Sequence, residues 1–282
     1  MVIADTLSEK IRNIPTLPAI VIQIIKTTNN PTSSARDLNK IITNDQAIAA
    51  KILQMANSSF YGLSTKVNNL NRAITLLGFN TVRSLALSIS IVDHFKGQSL
   101  NDYFNRGKFW EHSMGVAMLS KMLAEKRGGR LNPEEAYIGG LLHDLGVIIL
   151  DQFFQDKFSK ILQLIYETDV NFLEAELLVI GQDHAGFGAE IAAAWNYPEL
   201  LVATIGNHHN PEYNGDYTEY CNAIYLANYF EYRFNDPGAR RVPELNQKIV
   251  GRFISDDEQM EILKVKFEAE TERNREILRL FH

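Results

Sequence analysis

The chain has one cysteine, Cys221, among 282 residues, so it can form no intrachain disulfide and no cysteine-based zinc knuckle. That usage fits a reducing compartment, and a cytoplasmic location is the expectation. It has no excess of cations: 28 Lys and Arg stand against 34 Asp and Glu, a net charge of −6. Nucleic acid and anionic membrane surfaces attract the opposite sign, so neither is expected as a partner. No apolar run approaches the length of a membrane span. The opening residues, MVIADTLSEKIRNIP, contain acids and no apolar core run, which speaks against a secretory leader. The Walker loop, the Rossmann glycine fingerprint and the serine–glycine elbow are all missing. Runs of period-two alternation bounded by turn residues are scarce, which argues against a sheet.

What is there is helix. Hydrophobic residues make up 45% of the chain, enough for a large core, and they recur with helical spacing. Leu17–Thr28, Ser34–Thr43, Asp45–Ala56, Asn71–Leu77 and Thr81–Phe95 read as helices, with Gly78 as a C-cap glycine. Gly97-Gln98-Ser99-Leu100-Asn101 is a weak break. Phe109–Glu125 follows, and Lys126-Arg127-Gly128-Gly129 stops it. Asn132-Pro133-Glu134-Glu135 is a strong helix start, and its helix is expected to run to about Phe153. Phe158–Thr168, Phe172–Gly181, Ala185–Trp195, Pro198–Asn207 and Thr218–Phe234 complete the middle of the chain. Asn235-Asp236-Pro237-Gly238 reads as a turn, and Asp256–Leu280 as a long surface helix. The expected fold is all-α: an N-terminal helical lobe (1–100), packed on a second helical bundle (101–235), with a C-terminal helical extension (236–282).

Chemistry gathers at the histidines. His112 shares a helix face with Val116, Leu119 and Leu123; alone it reads as a core histidine bonded to a carbonyl. The stretch Gly139-Gly140-Leu141-Leu142-His143-Asp144-Leu145-Gly146 places a His–Asp pair among glycines, each of which costs a helix about 1 kcal/mol. Two readings remain open from this stretch alone: tight helix packing, or a site in the space the glycines leave. Asp183 suits an N-cap and puts His184 in a first turn, where the helix dipole favours the neutral ring. His208 and His209 end a helix, where the dipole favours the protonated form. Together they supply imidazoles and a carboxylate, the donors of Fe, Mn, Ni, Zn or Co sites.

The order of these residues resembles the HD superfamily of metal-dependent phosphohydrolases. His112 in WEHSMGVA matches the first histidine and LLHDLG supplies the pair, His143 and Asp144. The superfamily completes its minimal site with an aspartate on a later helix; here the matching position is Asn228, in Tyr225-Leu226-Ala227-Asn228-Tyr229-Phe230. Asparagine offers a carbonyl oxygen but no charge. The chain is more closely similar to the HDOD family of HD-related output domains in bacterial signalling. The blocks carrying that likeness are IPTLPAI, DLNKIITNDQAIAAKILQMANSSFYG, AITLLGFNTVRSLAL, GLLHDLG, DHAGFGAEIAAAWNYP and NHHNP, from about Ile14 to Phe234. The resemblance implies an N-terminal helical lobe on an HD-like lobe. It also implies a metal pocket of His112, His143, Asp144, His184, His208 and His209, with Asn228 as a substituted ligand.

Relatives that hydrolyse cyclic dinucleotides, the HD-GYP proteins, follow the paired histidines with a block like HHExxDGxGYP. This chain instead reads His208-His209-Asn210-Pro211-Glu212-Tyr213-Asn214-Gly215-Asp216-Tyr217. The expected function is therefore a regulatory module with a degenerate HD-type pocket. It would act through a signalling protein partner or a small phosphorylated ligand, with Fe, Mn, Ni or Zn as the candidate metals. The alternative is a metal-dependent phosphohydrolase acting on nucleotides or cyclic dinucleotides.

Overall fold

The computed structural model describes residues 18–29, 32–57, 61, 63–95, 97–235 and 245–273. Among them every regular element is an α-helix and none is a strand. The helices are α1 (Ala19–Asn29), α2 (Ala35–Thr43), α3 (Gln46–Ala56), α4 (Leu70–Leu77), α5 (Phe79–His94), α6 (Arg106–Lys126), α7 (Pro133–Leu142), α8 (Leu145–Phe153), α9 (Gln155–Glu167), α10 (Phe172–Ile180), α11 (His184–Ala194), α12 (Glu199–Asn207), α13 (Thr218–Asn235), α14 (Gln247–Phe253) and α15 (Asp257–Arg273). No single described helix is long and apolar enough to cross a membrane.

Polar caps set most of the boundaries. Ser34 and Asp37 form a capping box at α2, and Asn171 and Glu174 form another at α10. Asp45, Asn69, Asn105, Asn132 and Asp183 each accept a backbone N–H of the helix they start. The apolar faces these helices present merge into one core that runs from Val21 to Phe267. Its pivot is α5, buried without interruption from Thr81 to Val92. A helix buried on every side needs neighbours on every side, and α5 packs against α1, α2, α3, α4 and α7. Arg106, at the start of α6, ties the connection to the core. Its Nε donates to Asp151 Oδ2 at 2.6 Å, and its Nη1 donates to the Phe95 carbonyl at 3.3 Å.

The structure departs from the sequence reading in two places. The helix that starts at Asn132 does not run unbroken to Phe153: it lapses at His143–Asp144, where Asp144 takes φ −93°, ψ 23°. Val147 N there donates three residues back, to the Asp144 carbonyl, at 2.9 Å. The lapse places His143 and Asp144 at a helix end, which frees both side chains to point into one space. Helix α14 was not expected, being a short element capped by Asn246. The tail helix is described only to Arg273; residues 274–282, the turn residues 236–238, the first seventeen residues and 58–60 lie outside the described residues.

Candidate metal centre

Four helix termini and one helix interior bring the imidazoles together. His112 lies in α6, His143 and Asp144 between α7 and α8, His184 at the first residue of α11, and His208 and His209 just after α12. The ring centroids of His112 and His143 are 5.2 Å apart, His143 and His208 4.9 Å, His184 and His208 5.3 Å, and His184 and His209 5.0 Å. All six residues expected from the sequence therefore converge.

Asp144 is the hub. Its Oδ1 lies 3.2 Å from His184 Nε2 and 3.3 Å from His208 Nε2. Its Oδ2 lies 3.3 Å from His143 Nε2 and 3.7 Å from His112 Nε2. Two candidate ligand groups result: Asp144 with His184, His208 and His209, and Asp144 with His112 and His143.

The inward Nε2 atoms of His143, His208, His184 and His112 are each aimed by an outward bond from Nδ1. His143 Nδ1 donates to the Gly140 carbonyl at 2.8 Å and His208 Nδ1 to the Ile205 carbonyl at 2.7 Å. His184 Nδ1 pairs with Glu176 Oε2 at 2.8 Å, and His112 Nδ1 with Glu231 Oε2 at 2.5 Å. An acceptor on Nδ1 fixes the tautomer and turns the Nε2 lone pair inward, the arrangement that metal-ligating histidines use. The sequence reading missed Glu176 and Glu231. A signal for Glu231 existed: it stands three residues after Asn228, and Gly115 stands three after His112. A Cβ on Gly115 would meet Glu231 Cγ at 2.8 Å, so the glycine makes room for the carboxylate. Nothing local marked Glu176, which reaches His184 from the preceding helix.

Charge in the cluster overrides the helix dipole. At the positive end of α11, burial opposes a charged His184, as the dipole does. The Glu176 and Asp144 carboxylates outweigh both and raise it to about 10. His208, at the negative end of α12, was expected to hold a proton; burial lowers it to about 4 instead, with the neighbouring His143 and His184 adding to the effect. Burial, His208 and His184 keep His209 neutral far below its ordinary value. Burial also opposes charge on His112, yet Glu231 and Asp144 raise it. Burial would raise Asp144, but the surrounding imidazoles, His143 foremost, hold it well below the usual carboxylate range.

The residues fit a metal on two grounds. The Nε2 atoms of His112 and His143 are buried without a hydrogen-bond partner, as is Oδ1 of Asn228, which lies against His112. The inner atoms also have ligand-shell spacing. Bonds of about 2.1 Å put neighbouring ligand atoms about 3.0 Å apart in octahedral and about 3.4 Å apart in tetrahedral geometry. His209 Nε2 is 3.0 Å and His208 Nε2 is 3.2 Å from His184 Nε2. Tyr232 lies against His112, its ring tilted by 36° and the ring centroids 4.6 Å apart.

An all-helical protein with a buried histidine–carboxylate centre is thus the class that fold and site define. The chain belongs to the HDOD family: the model of the HDOD domain matches residues 14–211. An uncharacterized protein of Treponema pallidum (strain Nichols) is 25% identical over 274 residues, 95% of this chain. The chain spans about half of that curated relative, 52% of its length. Among solved structures, an HDOD domain protein of unknown function from Geobacter sulfurreducens has a TM-score of 0.79 at 25% identity, covering 98% of this chain and 97% of that one. A Shewanella amazonensis SB2B protein with a provisional phosphohydrolase name has a TM-score of 0.78 at 21% identity, covering 98% of each chain. That second likeness is one of fold.

Proposed function

We propose that the chain is a regulatory HDOD module of bacterial signal transduction. It binds a signalling protein partner or a small phosphorylated ligand and keeps a divalent transition-metal centre inside its core. The observation that carries this reading is how little of the centre reaches solvent: His143 and His208 are wholly buried, while Asp144 and His112 keep only 13% and 14% exposure and His209 sits at the rim. Structural metal sites are closed, whereas catalytic ones keep an open position. Asn228 in place of a carboxylate, and the lack of an acid directly after His209, point the same way.

Asp144 would be shared between the two ligand groups, with His184, His208 and His209 on one side and His112 and His143 on the other. Nitrogen-rich donors favour Fe, Mn, Ni or Zn over Mg. When bound, such an ion supplies Lewis acidity and lowers the pKa of a coordinated water. The chain's own residues do the rest. Glu176 and Glu231 orient His184 and His112, Asp144 supplies negative charge, and Tyr232 limits access.

The second reading is a metal-dependent phosphohydrolase. The observation favouring it is His209, only partly buried and held neutral at the rim, with its Nε2 3.0 Å from His184. Elemental analysis of purified protein, followed by turnover assays on cyclic di-GMP and a phosphoester panel, separates the two. The regulatory reading expects bound transition metal and no appreciable turnover. Efficient hydrolysis that disappears in Asp144→Ala would overturn it.

A further inference from the structure

Helix α5 packs against α7, and Arg83 brings a positive charge to that contact. Arg83 is 5% exposed, and its Nε and Nη2 are buried without a hydrogen-bond partner among the described residues. Its guanidinium carbon stands 5.9 Å from the centroid of the Phe79 ring, one turn back on the same helix. A buried cation with no acceptor is among the costlier groups for a protein to keep. Burial lowers Arg83 from its ordinary value, and the charges of Glu135 and Glu134, in the first turn of α7, oppose that.

Both carboxylates are held by other groups. Glu134 Oε1 accepts Lys121 Nζ of α6 at 2.7 Å. Glu135 Oε2 accepts the Tyr220 hydroxyl of α13 at 2.9 Å. The same hydroxyl oxygen accepts Asn132 N, from the residue that caps α7, at 2.9 Å. Glu135 is thus bonded to a neutral phenol while the guanidinium that feels its charge goes unmet. A guanidinium offers a carboxylate two parallel bonds and an opposite charge, where a phenol offers one bond and no charge.

We propose that this contact is a two-position switch: α5 and α7 have a second packed arrangement in which Arg83 pairs with Glu135 and the Tyr220 hydroxyl lets go. The exchange breaks one hydrogen bond and makes an ion pair, with no proton transferred. The freed hydroxyl turns to water, since Tyr220 is only partly buried. Close-packed helices move between discrete arrangements rather than by drifting, so the two states are distinct. The switch reaches the metal centre through both partners of Glu135. Helix α7 ends beside His143, and α13, with Tyr220 in its first turn, carries the Glu231 that holds His112. An anion from solvent does not fit here, because the buried nitrogens of Arg83 are closed off and two carboxylates would repel it.

The test is hydrogen–deuterium exchange of the full chain, read by mass spectrometry in the segments around Asn132 and Tyr220. Arg83→Met keeps an apolar stem and removes the guanidinium. Glu135→Gln keeps an acceptor for Tyr220 and removes the charge that draws Arg83. Each should abolish the second arrangement and slow exchange in both segments by about five-fold or more, the lower end of coupling between sites. The double variant should slow it no further, since the same state is lost either way. Thermal melting of each variant establishes that it folds, and Glu135→Gln decides the matter if Arg83→Met does not fold. Unchanged or faster exchange in the folded variants would overturn the switch. So would slowing in Arg83→Met that Glu135→Gln does not share, or slowing that adds in the double variant.

Discussion

Gly146 and His184 meet backbone to backbone: a side chain on Gly146 would drive into the His184 carbonyl oxygen and stand 2.9 Å from its carbonyl carbon. Gly188 closes the same crossing from α11, where a Cβ would stand 2.8 Å from Gly146 N. This contact seats the start of α8 against α11 and so sets the distance from Asp144 to His184. Gly146→Ala should therefore cost on the order of 3 kcal/mol, the upper range for overpacking against backbone that cannot yield. A urea titration checks this; a change under about 0.5 kcal/mol, the scale of an ordinary surface substitution, would refute the rigid crossing.

Glu176 and Glu231 act on the metal centre only through histidines. Glu176→Gln and Glu231→Gln should each lower metal affinity by about 10 to 100-fold, the usual effect of losing an outer carboxylate partner. Competition against a chelator measures it. Asn228→Asp should move affinity the other way by adding a charge beside His112. If that variant also gains phosphoesterase turnover, the missing carboxylate is what silences the site.

The metal-free protein should be most stable near pH 6.5. His208 is lowered to about 4 when folded, so its contribution is present above its unfolded value of 6.5 and lost as pH falls through 4. His184 is raised to about 10, so its contribution is complete below 6.5 and lost as pH rises through 10. Thermal melts in excess chelator at pH 5, 6.5 and 9 should give the highest midpoint in the middle. A monotonic trend across that span would contradict the assignment of neutral His208 and charged His184.

Cys221 should be inert in the folded protein. It is 1% exposed, and burial pushes its thiol up to about 12. Titration with a disulfide reagent near pH 8 should give no reaction until denaturant is added.

The sequence was informative where chemistry is local. Caps such as Asn132 and Asp183, the helical spacing of apolar residues and the His-bearing motifs placed most helices within a few residues. His112, His143, Asp144, His184, His208 and His209 are all legible in the sequence. The local reading of GGLLHDLG offered close helix packing but named no separate neighbour for each of its glycines. Gly140 faces α6, where a Cβ would stand 2.9 Å from Ala117 Cα; Gly139 faces Ile224 of α13; Gly146 faces α11. A glycine in sequence announces close approach but not the partner.

The protonation of the site was illegible for the same reason. The helix dipole is a local property, and on it alone His184 reads as neutral and His208 as charged. Tertiary packing reversed both by bringing Glu176 from α10 and Asp144 from the α7–α8 junction to His184, while enclosing His208 completely. Sequence by itself determined which side chains could bind a metal and which helices carry them, because donor type and helical period are written residue by residue. Only the tertiary structure decided which lone pairs face inward and which carboxylates stand behind them. Those are distances between segments far apart in the chain, set by how helices pack rather than by what any one of them contains.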